Sequence, residues 1–171
     1  VLDTGAVSRG SGGANISKER EVRKAFVDND FVEGVLLLPD NLFYNTSAPG
    51  IVLFINKHKA ANRKGKIILI NASKEFEKGK ESSKNYITQE GIQKIVKAFK
   101  AFEDIEKFAK IVTNEEVIKN DYNLSPSRYV QNGADIELQD IPTLLSEIKA
   151  LEQEEKGIDK KLEDIFKKLN L

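Results

Sequence analysis

The sequence predicts an α/β fold: the C-terminal part of a mixed sheet that ends in antiparallel strands, followed by helices and one long C-terminal heptad helix. Three observations predict it. Val32–Leu38, Ile51–Ile55 and Lys66–Asn71 are short apolar runs bounded by turn residues, and their order after one helix is strand, loop, strand, turn, strand. Ile92, Ile95, Val96 and Phe99 recur at helical spacing. From Leu144 to Leu169, apolar residues recur alternately four and three positions apart. Three regions follow: sheet over 1–71, helical extension and surface strap over 72–135, and long helix over 136–171.

Composition narrows the function classes. Lys+Arg and Asp+Glu balance at 27 each, so bulk charge names no partner. There is no Cys and a single His, His58, which excludes disulfide and thiolate chemistry and leaves no usual zinc set. No run approaches the roughly 20 apolar residues that span a bilayer, and the expected setting is cytoplasmic. Met is absent even at position 1, and the chain opens on Val-Leu-Asp as though inside a strand. An excised piece of a longer protein is therefore expected, with part of any active site elsewhere.

In order, Ser8–Asn15 is a glycine-rich loop that fails both phosphate-loop patterns, since Asn15 stands where a third glycine is needed and no Gly-Lys-Ser/Thr follows. Ser17 can cap a helix over 18–28, with Glu19 and Glu21 in its first turn. Val22, Ala25 and Phe26 form its expected apolar face, and Arg20, Arg23 and Lys24 a solvated one. Pro39 ends the first strand. Between Leu38 and Gly50, turn-forming Asn41, Asn45, Thr46, Ser47 and Pro49 surround Leu42, Phe43 and Tyr44. Two readings stay open there: Leu42 and Phe43 as plugs under the sheet, which pattern alone favours, or an aromatic binding tip. Ile51–Ile55 is apolar throughout and is expected to be covered on both faces. The turn over 57–66 is basic, and it is expected next to the aromatic loop.

Residues 72–87 read as a surface excursion. Thr88 caps the helix that runs to about Phe102. Residues 110–113 are extended, and Thr113-x-x-Glu116 is a capping box. Asn120–Val130 suits a strap over the surface. In the tail, Ile148, Leu162 and Leu169 take a positions, and Leu144, Leu151, Ile158 and Ile165 take d positions, with Glu155 the one polar a residue. A helix from Pro142 to Asn170 would be roughly 40 Å long. A partner helix is the expected cover, including self-association. Folding back on its own domain, or a hairpin broken near Gly157, are the alternatives.

No complete nucleophile–base pair, carboxylate pair or metal cluster is legible. What remains is the aromatic loop, whose rings could stack on any base, and Lys57, Lys59, Arg63, Lys64 and Lys66, which could neutralise phosphates. The bland reading of the latter is a solvated hairpin.

Glu-Arg-Glu-Val-Arg-Lys (19–24), Leu-Pro-Asp-Asn-Leu-Phe-Tyr-Asn-Thr (38–46) leading into Ile-Val-Leu-Phe-Ile-Asn-Lys (51–57), Ile-Asn-Ala-Ser-Lys-Glu-Phe-Glu-Lys-Gly-Lys (70–80) and Asn-Asp-Tyr-Asn-Leu-Ser-Pro-Ser-Arg-Tyr-Val (120–130) occur in this order. Together they resemble the C-terminal part of the modification (methyltransferase) subunit of type I restriction–modification systems, over most of residues 1–130. The resemblance implies an S-adenosylmethionine-dependent enzyme with a Rossmann-like sheet that methylates adenine N6 in double-stranded DNA. It also implies a specificity subunit that reads the target and a restriction subunit that joins the complex. The family's glycine-containing cofactor motif and its Asn-Pro-Pro-Phe/Tyr catalytic motif come earlier in the chain, and no Asn-Pro-Pro run occurs here. The piece alone is therefore expected to be inactive, with no catalytic, cofactor or metal residues of its own.

By position, the resemblance places Phe43, with Tyr44 second, as the ring that stacks on a flipped-out adenine. Leu42 is then left as the plug, and the tail (Leu144, Ile148, Leu151, Ile158, Leu162, Ile165, Leu169) as the subunit interface. The competing reading is a non-catalytic assembly module that recruits a partner through its C-terminal helix.

Overall fold

A computed structural model describes residues 1–12, 17–79 and 84–130. The expected heptad helix lies outside the described residues. A five-stranded mixed sheet is built from β1 (Leu2–Asp3), β2 (Val32–Leu37), β3 (Gly50–Ile55), β4 (Lys66–Asn71) and, later in the chain, β7 (Ala109–Thr113), in the order β1-β3-β2-β4-β7. β2 and β4 run parallel, and β3 and β7 lie antiparallel beside them. The chain turns back on both sides of a parallel pair, within the mixed sheet that the sequence predicted.

The central strands are apolar at successive positions because both faces are covered. Val35, Leu37, Ile51, Ile67 and Leu69 face one core, whereas Leu36, Leu38, Ile68 and Ile70 face the other. Ile67, Ile68 and Leu69 are fully inaccessible, and each such side chain contributes roughly 1.5–3 kcal/mol of burial. The first core is closed by α1 (Gly5–Ser8), α2 (Lys18–Asp28), α4 (Asn114–Lys119) and α5 (Pro126–Tyr129), which supply Val7, Val27, Val117 and half-buried Tyr129. The second is closed by α3 (Gln89–Ala101) through Ile95, Ala98, Phe99 and Phe102. Gly34 on β2 allows this approach: a Cβ there would stand 2.9 Å from Ile68 Cγ2 and 3.0 Å from the Phe99 ring. The described residues belong to one compact unit, and β7 pairs with β4, so the segment after Asn71 completes the sheet.

Caps fall where the sequence placed them. Ser17, Thr88 and Thr113 Oγ accept from Arg20 N, Gly91 N and Glu116 N at 3.1, 3.1 and 3.2 Å. The faces of two helices differ from the expectation. α2 buries Arg23 and Val27 and leaves Val22 55% exposed. The cause is the Arg23 guanidinium, which donates to Tyr122 O, Ala6 O, Arg9 O and Ser11 Oγ and so satisfies acceptors from three segments. The expected solvated face is also engaged: Arg20 pairs with Asp121, and Lys24 donates to Asp28 and to the Tyr122 hydroxyl. On α3, Ile92 and Val96 are 44% exposed, because the Ile95–Ala98–Phe102 face meets the sheet instead.

β3 is likewise less covered than its uniform apolarity predicted. Leu53 is half-buried and Ile55 is exposed. Its pairing with β1 stops after Ile51, and with α2 it borders an apolar cleft of about 390 Å³ lined by Leu2, Val22, Phe26 and Leu53. The 72–87 excursion forms a two-stranded ribbon, β5 (Glu77–Lys78) and β6 (Asn85–Tyr86).

Candidate nucleic-acid interface

The aromatic loop sits at the carboxyl ends of the parallel strands β2 and β4, where open α/β sheets bind their ligands. The end of β1 is there too, because Asp3 pairs with Gly50. The loop closes on itself: Asn41 N donates to Ser47 O at 2.9 Å, and Asn41 and Asn45 take left-handed conformations with φ of 51° and 62°. Asparagine tolerates that region better than most residues, so the two Asn set the turns. Leu42 and Phe43 point inward and are half-buried against the second core. The Phe43 ring lies over Gly50, where a Cβ would stand 2.7 Å from its Cε2 and 3.2 Å from its Cζ. Tyr44 forms the tip and is 90% exposed. The loop thus combines a seated ring with a free one.

The basic turn is not beside it. Leu37 pairs with Ile51 and Val32 with Ile55, so the loop is at one end of β3 and the turn at the other. Six strand residues put them about 20 Å apart. Sequence proximity misled here because the intervening strand spans the sheet.

Within the turn, Lys59 and Arg63 are corrected from phosphate ligands to structural clamps. The Lys59 side chain is 2% exposed, and its Nζ donates to Asp30 Oδ1 at 2.6 Å and to Lys66 O at 2.9 Å. Burial raises the Asp30 pKa, but Lys59, Gly65 N and Asn114 Nδ2 outweigh it and hold the carboxyl below its usual range. Arg63 pairs with Glu33 at 3.1 Å, donates to Lys100 O at 2.8 Å and lies 4.6 Å from the Phe102 ring centroid. It satisfies carbonyls at the C-terminus of α3, where a cation also suits the helix dipole. Lys57 and Lys64 remain exposed.

The glycine-rich segment is tied to the strap. Gly12 N donates to Asp121 Oδ2 at 2.7 Å, and Ser11 Oγ to Asp121 O at 2.9 Å. Arg20 then lowers the Asp121 pKa, with the Gly12 N–H adding to it. Among the described residues no group of three or more His, Cys, Asp or Glu could hold a metal ion, and no helix is long and apolar enough to cross a membrane.

The family model for N-6 DNA methylases matches residues 1–137. The chain belongs to the N-6 DNA methylase family. Within that family it resembles methylase subunits of type I restriction enzymes. The MjaVIII methylase subunit of Methanocaldococcus jannaschii is 47% identical over 155 residues, covering 90% of this chain and 26% of the relative. A solved methyltransferase subunit of a type I restriction–modification system from Streptococcus thermophilus is 41% identical with a TM-score of 0.66, covering 76% of this chain and 25% of that one. A chain from a study of type I system assembly, 16% identical with a TM-score of 0.52 over 96% of this chain, shares the fold. This methylase chain therefore spans about a quarter of the length of such relatives.

Sequence reasoning found the loop of this methylase chain but not what braces it. Lys84 and Asn85 were read as surface residues, yet both hydrogen-bond to the loop. Their sequence signal is faint: a Lys just ahead of a two-residue strand and the Asn that opens it.

Proposed function

We propose that this chain is the C-terminal part of a type I DNA methyltransferase subunit that transfers a methyl group from S-adenosylmethionine to adenine N6 in DNA. The observation that carries the proposal is the aromatic loop at the carboxyl ends of β2 and β4, within a chain whose family is N-6 DNA methylases. Chemistry on a base requires its extrusion from the duplex, and the unstacking cost of a few kcal/mol calls for a platform. Phe43 is the platform, since a ring seated on Gly50 is held in place. Tyr44, with its free ring, is the lip that meets the base first.

The described residues do not fit the cofactor. The glycine-rich turn has its Gly12 N–H engaged by Asp121, and the Ser17 side chain occupies the space beside Gly10. By itself the piece is inactive. The rest of the catalytic sheet is assigned to other residues of the full-length subunit. The apolar cleft and the stretch of β3 beyond Ile51 that β1 leaves unpaired among the described residues, together with the chain's quarter share of its relatives, support that assignment. The heptad tail is assigned to assembly with a specificity subunit, with which a restriction subunit associates. Lys57 and Lys64 can reach phosphates only about 20 Å from the base, roughly six base pairs along the duplex.

The test uses the full-length subunit with its specificity subunit in single-turnover methylation. Phe43→Ala is expected to slow methyl transfer strongly while DNA affinity stays within about twofold. Loss with Tyr44→Ala alone would hand the role to Tyr44, and unchanged rates in both variants would remove the loop from the site.

A further inference from the structure

The loop's geometry is set from outside it. Asn41 N–Ser47 O closes its neck, but residues 42–46 contain no strand or helix, and two of the seven residues from 41 to 47 sit in left-handed conformations. A ring meant to meet an extruded base needs firmer support. One dipeptide at the start of β6 supplies it. Lys84 Nζ donates to Asn41 Oδ1 and to Thr46 O, both at 3.0 Å, so one ammonium joins the two sides of the neck. Asn85 N donates to Asn41 O at 2.9 Å, and Asn85 Nδ2 donates to Asp40 O at 3.0 Å. The contacts span 38 to 45 positions in sequence, so they are tertiary.

The dipeptide is itself anchored. Gly79 N donates to Lys84 O at 2.9 Å, and Asn85 and Tyr86 pair with Lys78 and Glu77 across the ribbon. Ahead of the ribbon, Glu75 is ion-paired with Lys94 on α3. A continuous path therefore runs from the packed helix through the ribbon to the loop.

We propose that Lys84, seconded by Asn85, is a positioning latch that holds the aromatic loop closed so that Phe43 and Tyr44 are presented to the target base. The proposal rests on the reading of the loop as the base platform. Lysine suits the task because an ammonium has three donors and no acceptor, so one side chain can bridge two carbonyl-type oxygens. Methionine keeps the stem and removes the bridge. Arginine keeps two or more donors and can restore it.

The experiment uses the full-length subunit with its specificity subunit and duplex DNA carrying adenine or 2-aminopurine at the target position. Lys84→Met is expected to lower kcat roughly ten- to a hundredfold, with DNA affinity and urea midpoint close to wild type. The 2-aminopurine fluorescence rise that reports base extrusion is expected to shrink in parallel. Lys84→Arg is expected to recover most of both signals, and Asn85→Ala to show a milder version of the Lys84→Met loss. Wild-type kcat and fluorescence in Lys84→Met overturn the latch. So does a Lys84→Met loss matched by an equal fall in urea midpoint and not recovered by arginine, since that is global damage. Phe43→Ala and Tyr44→Ala run alongside: if they lose methylation and Lys84→Met does not, the platform stands and the latch fails. If neither aromatic variant loses methylation, the platform itself fails.

Discussion

Replacing Lys59 with methionine separates a clamp from a phosphate contact. The ammonium is almost fully buried, and the change leaves the Asp30 carboxylate without its cation while preserving the aliphatic stem. Removing one partner of a buried pair typically costs about 3–5 kcal/mol. Here Asp30 is 30% exposed and keeps Gly65 N and Asn114 Nδ2 as donors. The expected loss is therefore about 2–3 kcal/mol. For a chain of this size that lowers Tm by about 4–12 °C. The same change at Lys57 or Lys64 is expected to cost less than about 0.5 kcal/mol. Urea and thermal unfolding at neutral pH give the comparison. A Lys59→Met protein as stable as wild type, whose DNA binding loses about one unit of salt slope, would refute the clamp and restore the phosphate role.

Four further outcomes follow from the same contacts. Gly50→Ala places a Cβ 2.7 Å from the Phe43 ring, and it is expected to cost about 1–3 kcal/mol in urea unfolding, with Phe43→Leu on the same background recovering stability but not methylation. Asp30, Asp104 and Asp121 have lowered pKa values in the folded chain, so their stabilisation is full above the unfolded value near 3.8 and is lost as pH falls through the folded values. Acid unfolding monitored below about pH 5 should therefore show the wild-type advantage over Asp30→Asn shrinking as pH drops. Lys57→Met with Lys64→Met is expected to reduce the salt slope of DNA binding by about two while leaving kcat unchanged. Arg23→Met leaves Tyr122 O and Ala6 O without their guanidinium donor and Arg9 O with only the Ser17 hydroxyl, and it is expected to cost about 2–4 kcal/mol by chemical denaturation.

The strands, the three caps and the antiparallel finish were legible because each rests on a local rule: apolar runs between turn residues, and Ser or Thr ahead of a helix. Helix rotation was not. On α2 the apolar periodicity put Val22 inward, but Arg23 is inward, since the carbonyls it satisfies come from residues 6, 9 and 122, which no local pattern links. On α3 the run Ile92, Ile95, Val96, Phe99 fits two faces one step apart, and the small Ala98 and Gly34 decide which one approaches the sheet. The loop was visible as aromatic residues in a turn-forming context, but which of them pack was not: Leu42 and Phe43 lie against the second core, whereas Tyr44 is exposed. The basic turn was misplaced because adjacency in sequence ignores the strand between. Lys59 and Arg63 looked free because their partners Asp30 and Glu33 lie 29 and 30 residues away.

The most direct measurement places a photoreactive analogue, such as 5-iodouracil, at the target adenine's position in duplex DNA bound by the full-length subunit and its specificity subunit. Cross-linked peptides are then identified by mass spectrometry. Attachment is expected within residues 38–49, at Phe43 or Tyr44. Attachment confined to the 57–66 turn, with residues 38–49 unlabelled, would contradict it.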